Sequence, residues 1–248
     1  VAYSGPINPQ TRGTKEIYRA FSAIERAGRN WYPLHFRTIV AETQFAFGKM
    51  RIVALSPSGN AWAANMASVH SRLTSGLSPR TAPQPAVNLA SIVLHIDYEN
   101  EAVLLGSDLE THANLGLKTV VSHPWTQSRR KASLYKVAHH GSPTACIPEI
   151  WQPLVESEAQ SALTPFINGK VRLPSDADVA RIKGYTPKIH ATAPVAKHIP
   201  KTTAAERQLT TFLRNATGLS KRMGHLRYRK KPGQTEWTCE MDGAAHRL

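Results

Sequence analysis

Cysteine is close to absent from this chain. Its 248 residues include two, Cys146 and Cys239, far apart and in no metal-ligand or redox spacing. A disulfide framework is therefore not indicated, and both thiols read as buried or incidental. No run of 18 or more apolar residues occurs, which argues against a membrane-spanning helix. Nor does a basic-then-apolar leader open the sequence, and a cytoplasmic protein is the expectation. Acidic residues are scarce as well. Seventeen Asp and Glu stand against 31 Lys and Arg, a net charge of +14, and that balance favours polyanions as partners. The excess is uneven, because residues 179–248 hold fourteen Lys or Arg and only four acids.

Core material, by contrast, is ample. At 41% hydrophobic residues the chain can bury a full core, and one domain over residues 1–248 is expected. Trp31, Trp62, Trp125, Trp151 and Trp237 read as packing residues. Residues 14–28 place Ile17, Phe21 and Ile24 at helical spacing between a Thr14 cap and a Gly28 stop. Strands are expected over 35–47 and 50–55, an alanine-rich helix over 61–73, and a proline-punctuated loop over 75–85. Residues 91–97 and 102–107 flank a turn-length connection and should pair as an antiparallel hairpin. After a poorly patterned stretch to Lys131, a strand over 132–138 leads into His139-His140-Gly141-Ser142, and 148–155 reads as a short helix or turn. The remainder alternates: strand 161–166, helix 176–182, strand 188–192, helix 203–213, strands 225–229 and 235–240. This order fits a layered α/β sandwich, and a doubly wound sheet would give a similar list.

Two segments carry chemistry. The apolar run Ala102–Leu105 leads through Gly106-Ser107 to Asp108, and Gly106 and Ser107 leave room for a metal ion and solvent beside that carboxylate. A carboxylate at a stiff strand end can bridge two divalent ions and so help to generate a hydroxide between them. The plainer role for Asp108 is to cap the next turn. Adjacent imidazoles at a strand end can divide labour, one ligating metal while its neighbour meets an anionic substrate or a proton in flight. That is the reading of His139 and His140.

Asn88-Leu89-Ala90-Ser91-Ile92-Val93-Leu94, then Leu104-Leu105-Gly106-Ser107-Asp108-Leu109-Glu110, then Lys136-Val137-Ala138-His139-His140-Gly141-Ser142 resemble, in order and spacing, the metallo-β-lactamase-fold hydrolases, in particular the competence-protein branch associated with DNA uptake. The match is best over residues 50–145. The resemblance implies an α/β fold of the metallo-β-lactamase αββα sandwich type, a pair of divalent metal ions with zinc first and manganese as the alternative, and hydrolysis of a phosphodiester or another anionic substrate. It also implies Asp108 as the bridging ligand, His140 as the last histidine ligand and His139 as the catalytic partner facing substrate. Ser142 and Asn88 fall on the substrate side, with Asn88 and Ser91 holding loops around the cleft.

This sequence departs from the family in one decisive place. The His-x-His-x-Asp-His turn that supplies most ligands to both metals occurs nowhere between Val1 and Leu248, and Ser107-Asp108 stands where the family has Gly-Asp. His35 and His70 are the nearest replacements, and both read as structural. Two explanations stand: the turn lies upstream of Val1, so that this sandwich lacks part of its N-terminal half and an upstream segment or partner chain completes the ligands, or the domain kept the fold and lost the chemistry. The first is the expectation. The competing function is a non-catalytic nucleic-acid-binding module, in which Lys221, Arg222, Arg227, Arg229, Lys230 and Lys231 neutralise phosphates beside Tyr228 and Trp237. A β-lactam hydrolase fits the paired histidine and the basic balance poorly.

Overall fold

The computed structural model describes residues 39–74, 88–168, 171–195, 224–231 and 233–248, the side chains of 69–74 and 168 excepted. All lie in the second of the two units into which the chain divides, Ile39–Leu248. The expected helices over 14–28 and 203–213, the loop over 75–85, and residues 35–38 lie outside the described residues.

An eight-stranded mixed sheet organises this unit. Its strands are β1 (Gln44–Phe47), β2 (Met50–Ala54), β3 (Leu94–Tyr98), β4 (Glu101–Leu105), β7 (Ala132–Lys136), β8 (Val155–Leu163), β11 (Ile189–Ala191) and β14 (His246–Arg247), adjacent in that order. The first four are antiparallel neighbours; the two-residue turns Gly48-Lys49 and Glu99-Asn100 double the chain back within the pairs β1–β2 and β3–β4. From β4 to β11 the neighbours are parallel, and each step needs a crossover. The helices α2 (Leu117–Ser122), α3 (Pro124–Gln127), α4 (Pro148–Leu154) and α5 (Asp176–Lys183) lie in these crossovers, while α1 (Gly59–Thr74) follows β2. Three small hairpins complete the unit: β5 (Thr111–His112) with β6 (Leu115–Gly116), β9 (Phe166–Asn168) with β10 (Val171–Leu173), and β12 (Gly224–Arg229) with β13 (Thr238–Gly243).

One row of paired residues crosses the sheet through its centre: Val53, His95, Leu104, Tyr135, Ser161 and Ile189. Each is fully buried. The hydrophobic core continues from this row into Leu117, Val120 and Val121 of α2 and Ile150, Trp151 and Leu154 of α4, with the Trp151 ring edge-on to Tyr135 at 5.0 Å. Burying a side chain of this size contributes about 1.5–3 kcal/mol. The next row, Ile52, Ile96, Val103, Leu134 and Gln160, points to the opposite face because side chains alternate along a strand, and it is only partly buried. Among the described residues no helix is long and apolar enough to cross a membrane.

Several sequence expectations shift. The stretch over 109–131, read as unpatterned, folds into β5–β6, α2 and α3. Within the described part of the first expected strand, residues 39–43 are not strand and β1 begins at Gln44, and β3 starts at Leu94 rather than Ser91. Strand β8 starts at Val155, six residues before the expected boundary, through the exposed Glu156-Ser157-Glu158 that polarity alone marks as loop. Phe166 belongs to the separate β9, and β13 starts at Thr238.

Candidate active site

Strands β4 and β7 run parallel and end side by side, and Gly106 extends the pairing by donating its N–H to the Lys136 carbonyl at 3.0 Å. A Cβ on Gly106 would stand 2.8 Å from both the Cβ and the backbone nitrogen of Ala138, so only glycine lets the two chains approach this closely. Both segments then turn through the left-handed region. Ser107 has φ 50°, and His139, His140 and Gly141 follow one another at 39°, 55° and 77°. Such a conformation costs a non-glycine residue about 1–2 kcal/mol and persists only when surrounding structure fixes it. Here His139 donates its N–H to the Ser107 carbonyl at 3.0 Å, Ser142 donates to the His139 carbonyl at 3.0 Å, and Arg181 Nη2 donates to the Gly141 carbonyl at 3.1 Å. Arg181 is itself held by Asp178 at 2.7 Å, whose other oxygen accepts from both the backbone and side chain of Ser175 in a capping box that opens α5.

The turn brings His140 to Asp108. His140 Nε2 lies 3.8 Å from Asp108 Oδ1, while Nδ1 sits 2.6 Å from the Thr164 carbonyl at the end of β8. A carbonyl only accepts, so Nδ1 carries a proton, and in the neutral ring Nε2, 3.8 Å from the carboxylate, is the nitrogen left with a lone pair. That is the tautomer of a metal-ligating histidine with its outer nitrogen anchored to backbone. Phe166 stacks on the other side of the ring, centroids 5.0 Å apart. Lys136 Nζ donates to the Ser107 carbonyl at 2.9 Å and stands 3.8 Å from Asp108 Oδ1. Burial holds the Lys136 ammonium below the ordinary lysine range, and Asp108 pulls the other way. Asp108 itself keeps 44% of its side chain exposed.

His139 faces a different set. Its Nδ1 lies 3.0 Å from Glu110 Oε1 and 3.0 Å from Ser142 Oγ, and Nε2 is 3.5 Å from the Asn88 amide nitrogen. Asn88 also donates to Glu110 Oε2 at 3.0 Å, and Thr144 donates to Glu110 Oε1 at 2.6 Å. Asp108 and Glu110 flank the fully buried Leu109.

The structure thus gathers Asn88, Asp108, His139, His140 and Ser142, which the sequence had singled out. Ser142 is buried and its hydroxyl meets His139 and Thr144, while Ser91 accepts from Ser56 Oγ at 2.6 Å and fixes the loop before β3. Glu110, Lys136 and Thr164 were missed. The signal for Glu110 was its i, i+2 spacing from Asp108. Lys221, Arg222, His35 and the His70 side chain lie outside the described residues. The basic residues that are described sit on the β12–β13 hairpin and just after β12. Arg227 and Arg229 lie 3.5 and 3.3 Å from Glu240, and Lys230 donates to Glu101 at 2.6 Å with 12% of its side chain exposed.

Among the described residues no three or more His, Cys, Asp or Glu side chains form a group that could hold a metal ion. Asp108 and His140 supply two donors with suitable chemistry, so a complete site needs donors from elsewhere. A hollow of about 530 Å³ lined by Lys131, Trp151, Val155 and Tyr185 lies at the N-terminal ends of β7 and β8 and shares no residue with the cluster. In open α/β sheets ligands bind beyond the C-terminal strand ends, where Asp108 and His140 stand. Comparison with protein-family models, curated proteins and solved structures finds no match to this chain.

Proposed function

We propose that this chain carries part of a divalent-metal hydrolase site of the metallo-β-lactamase type, within an αββα sandwich, acting on a phosphodiester or another anionic substrate. The observation that supports the reading best is the meeting of Asp108 and His140 at adjoining parallel strand ends, with His140 Nδ1 anchored on a backbone carbonyl and Nε2 on the side of the carboxylate. Asp108 and His140 would hold the metal, zinc or manganese, with the remaining donors drawn from outside the described residues. A divalent ion held there would supply Lewis-acid polarisation of the substrate and a hydroxide at neutral pH. Lys136 offsets negative charge beside Asp108, and His139 meets the substrate side. The net charge of +14 favours an anionic substrate, nucleic acid among them, and the reading goes with a cytoplasmic location.

Elemental analysis of the purified chain tests this, after mild chelation and reloading with zinc or manganese, beside the Asp108→Ala/His140→Ala double variant. The expected result is metal bound by the parent and lost in the double variant, with hydrolysis of a chromogenic phosphodiester by the loaded parent alone. Equal metal content in the two proteins would overturn the assignment of these ligands.

A further inference from the structure

Glu110 is used by no step above, yet three polar side chains converge on it. As a carboxylate it has no proton to give, so every hydrogen bond to it has a fixed direction. Thr144 must donate to Glu110 Oε1, across 2.6 Å. With its one hydrogen committed there, Thr144 Oγ1 accepts from Ser142 Oγ, 2.9 Å away. The Ser142 oxygen, its own hydrogen committed, then accepts from His139 Nδ1 at 3.0 Å, and the same nitrogen lies 3.0 Å from Glu110 Oε1. The ring of contacts closes in one sense only. Asn88 agrees from the other side: its amide nitrogen gives one hydrogen to Glu110 Oε2 at 3.0 Å and turns toward His139 Nε2 at 3.5 Å, which suits an acceptor.

We infer that Glu110 is a positioning residue for His139: through Thr144, Ser142 and Asn88 it fixes the imidazole with the proton on Nδ1 and leaves Nε2, beside the Asn88 amide, as the ring's only acceptor. The two neighbouring histidines therefore carry the same tautomer for different reasons. His140 is anchored by the backbone carbonyl of Thr164, and His139 by a carboxylate and its hydroxyl relay. An anchor of the first kind suits a ligand, since its acceptor is rigid. The second suits a group that accepts a hydrogen bond or a proton through Nε2, from a nucleophile or hydroxyl on the substrate side, while its back side is held by charge. This assignment rests on the proposed hydrolase reading for what His139 meets, but not for how His139 is held.

The test is long-range ¹⁵N–¹H correlation spectroscopy of the imidazoles in the full chain, metal-free, at a pH above the ordinary imidazole range, with the His139 signals identified by their loss in His139→Gln. In the parent, Nδ1 of His139 reads as protonated and Nε2 as bare. In Glu110→Gln that pattern is lost or reversed at His139 and unchanged at His140, and Glu110→Asp restores it at least in part. A parent spectrum with the proton on Nε2 of His139 overturns the inference with no variant needed. An unchanged His139 pattern in folded Glu110→Gln overturns it too. If the chain hydrolyses a phosphodiester when loaded with metal, Glu110→Gln loses about 10–100-fold in turnover, as outer-shell partners do. If the metal reading fails, the tautomer result stands or falls independently.

Discussion

The strand-end cluster and the β12–β13 hairpin hold the two most conspicuous sets of polar residues in the described structure, and they are organised in opposite ways. In the hairpin, charge meets charge: Arg227 and Arg229 share Glu240, and Lys230 closes on Glu101. In the cluster, backbone does the holding. Three successive left-handed residues aim two imidazoles, a backbone carbonyl anchors one, and Asp108 stays partly exposed. The contrast separates composition from chemistry. The basic excess of the sequence points at the C-terminal third, where much of the described charge is internally neutralised, while strained backbone and aimed lone pairs mark the strand ends.

Glycine substitutions break the comparison most sharply. Gly141 has φ +77° and a Cβ there would stand 2.7 Å from Ile182 Cδ1, whereas Gly233 in the hairpin has φ +82° with nothing within 4 Å. Gly141→Ala therefore combines conformational strain with overpacking and should cost about 2–5 kcal/mol in a denaturant titration, while Gly233→Ala meets only the strain, about 1–2 kcal/mol. Equal losses would mean that the turn is no more constrained than the hairpin.

Asp178 supports the cluster through Arg181, and its effect should depend on pH. Burial alone would raise its carboxyl pKa, but hydrogen bonds from Ser175 and Arg181 outweigh that and hold it below the ordinary value. A depressed folded-state pKa stabilises the fold above the unfolded value and loses that contribution as pH falls through the folded one. Asp178→Asn should be less stable than the parent by about 1–3 kcal/mol at pH 7. The gap should narrow as pH falls below about 3.9, seen by comparing unfolding midpoints across the acid range. A gap that stays constant with pH would place the loss in packing rather than charge.

On the hairpin side, Trp237 donates to Ser133 Oγ at 2.9 Å and ties β13 to the sheet. Trp237→Phe keeps most of the packing and loses that bond, about 0.5–1.5 kcal/mol by thermal unfolding. Smallest of all is the double change Arg227→Ala/Arg229→Ala. Both guanidiniums are half exposed and share one partner, so stability should move by no more than about 0.5 kcal/mol. A bound single-stranded DNA probe should show the same log–log salt slope in parent and variant. A drop of close to one unit per charge would instead make this hairpin a phosphate-binding surface.

Much of this arrangement is legible in the sequence because it rests on local signals. A turn-length connection marks the hairpin of β3 and β4, and a short strand delivers His139 and His140. What escapes is what tertiary contact creates. Leu117, Val120 and Val121 occupy a six-residue helix too short to display a period, and β8 holds its exposed acidic start because its far end is locked between β7 and β11. At the site, a paired histidine before glycine is a visible motif, but nothing local says that Thr164, beyond the next crossover, orients one ring. Glu110 hides behind Asp108 for a similar reason: its role depends on Thr144 and Asn88, far away along the chain.

The anchoring of His140 by Thr164, with Asp108 supplied by the preceding strand, has a thermodynamic corollary. Three segments, the ends of β4, β7 and β8, must be docked in the sheet before the pair exists, so an unfolded chain offers no equivalent binding place. A ligand seated between Asp108 and His140 stabilises the native state by mass action, about 2.7 kcal/mol at a hundred times its dissociation constant. Melting temperature measured against a panel of cations and phosphate esters is thus a direct screen for what this chain recognises, with no substrate turnover required.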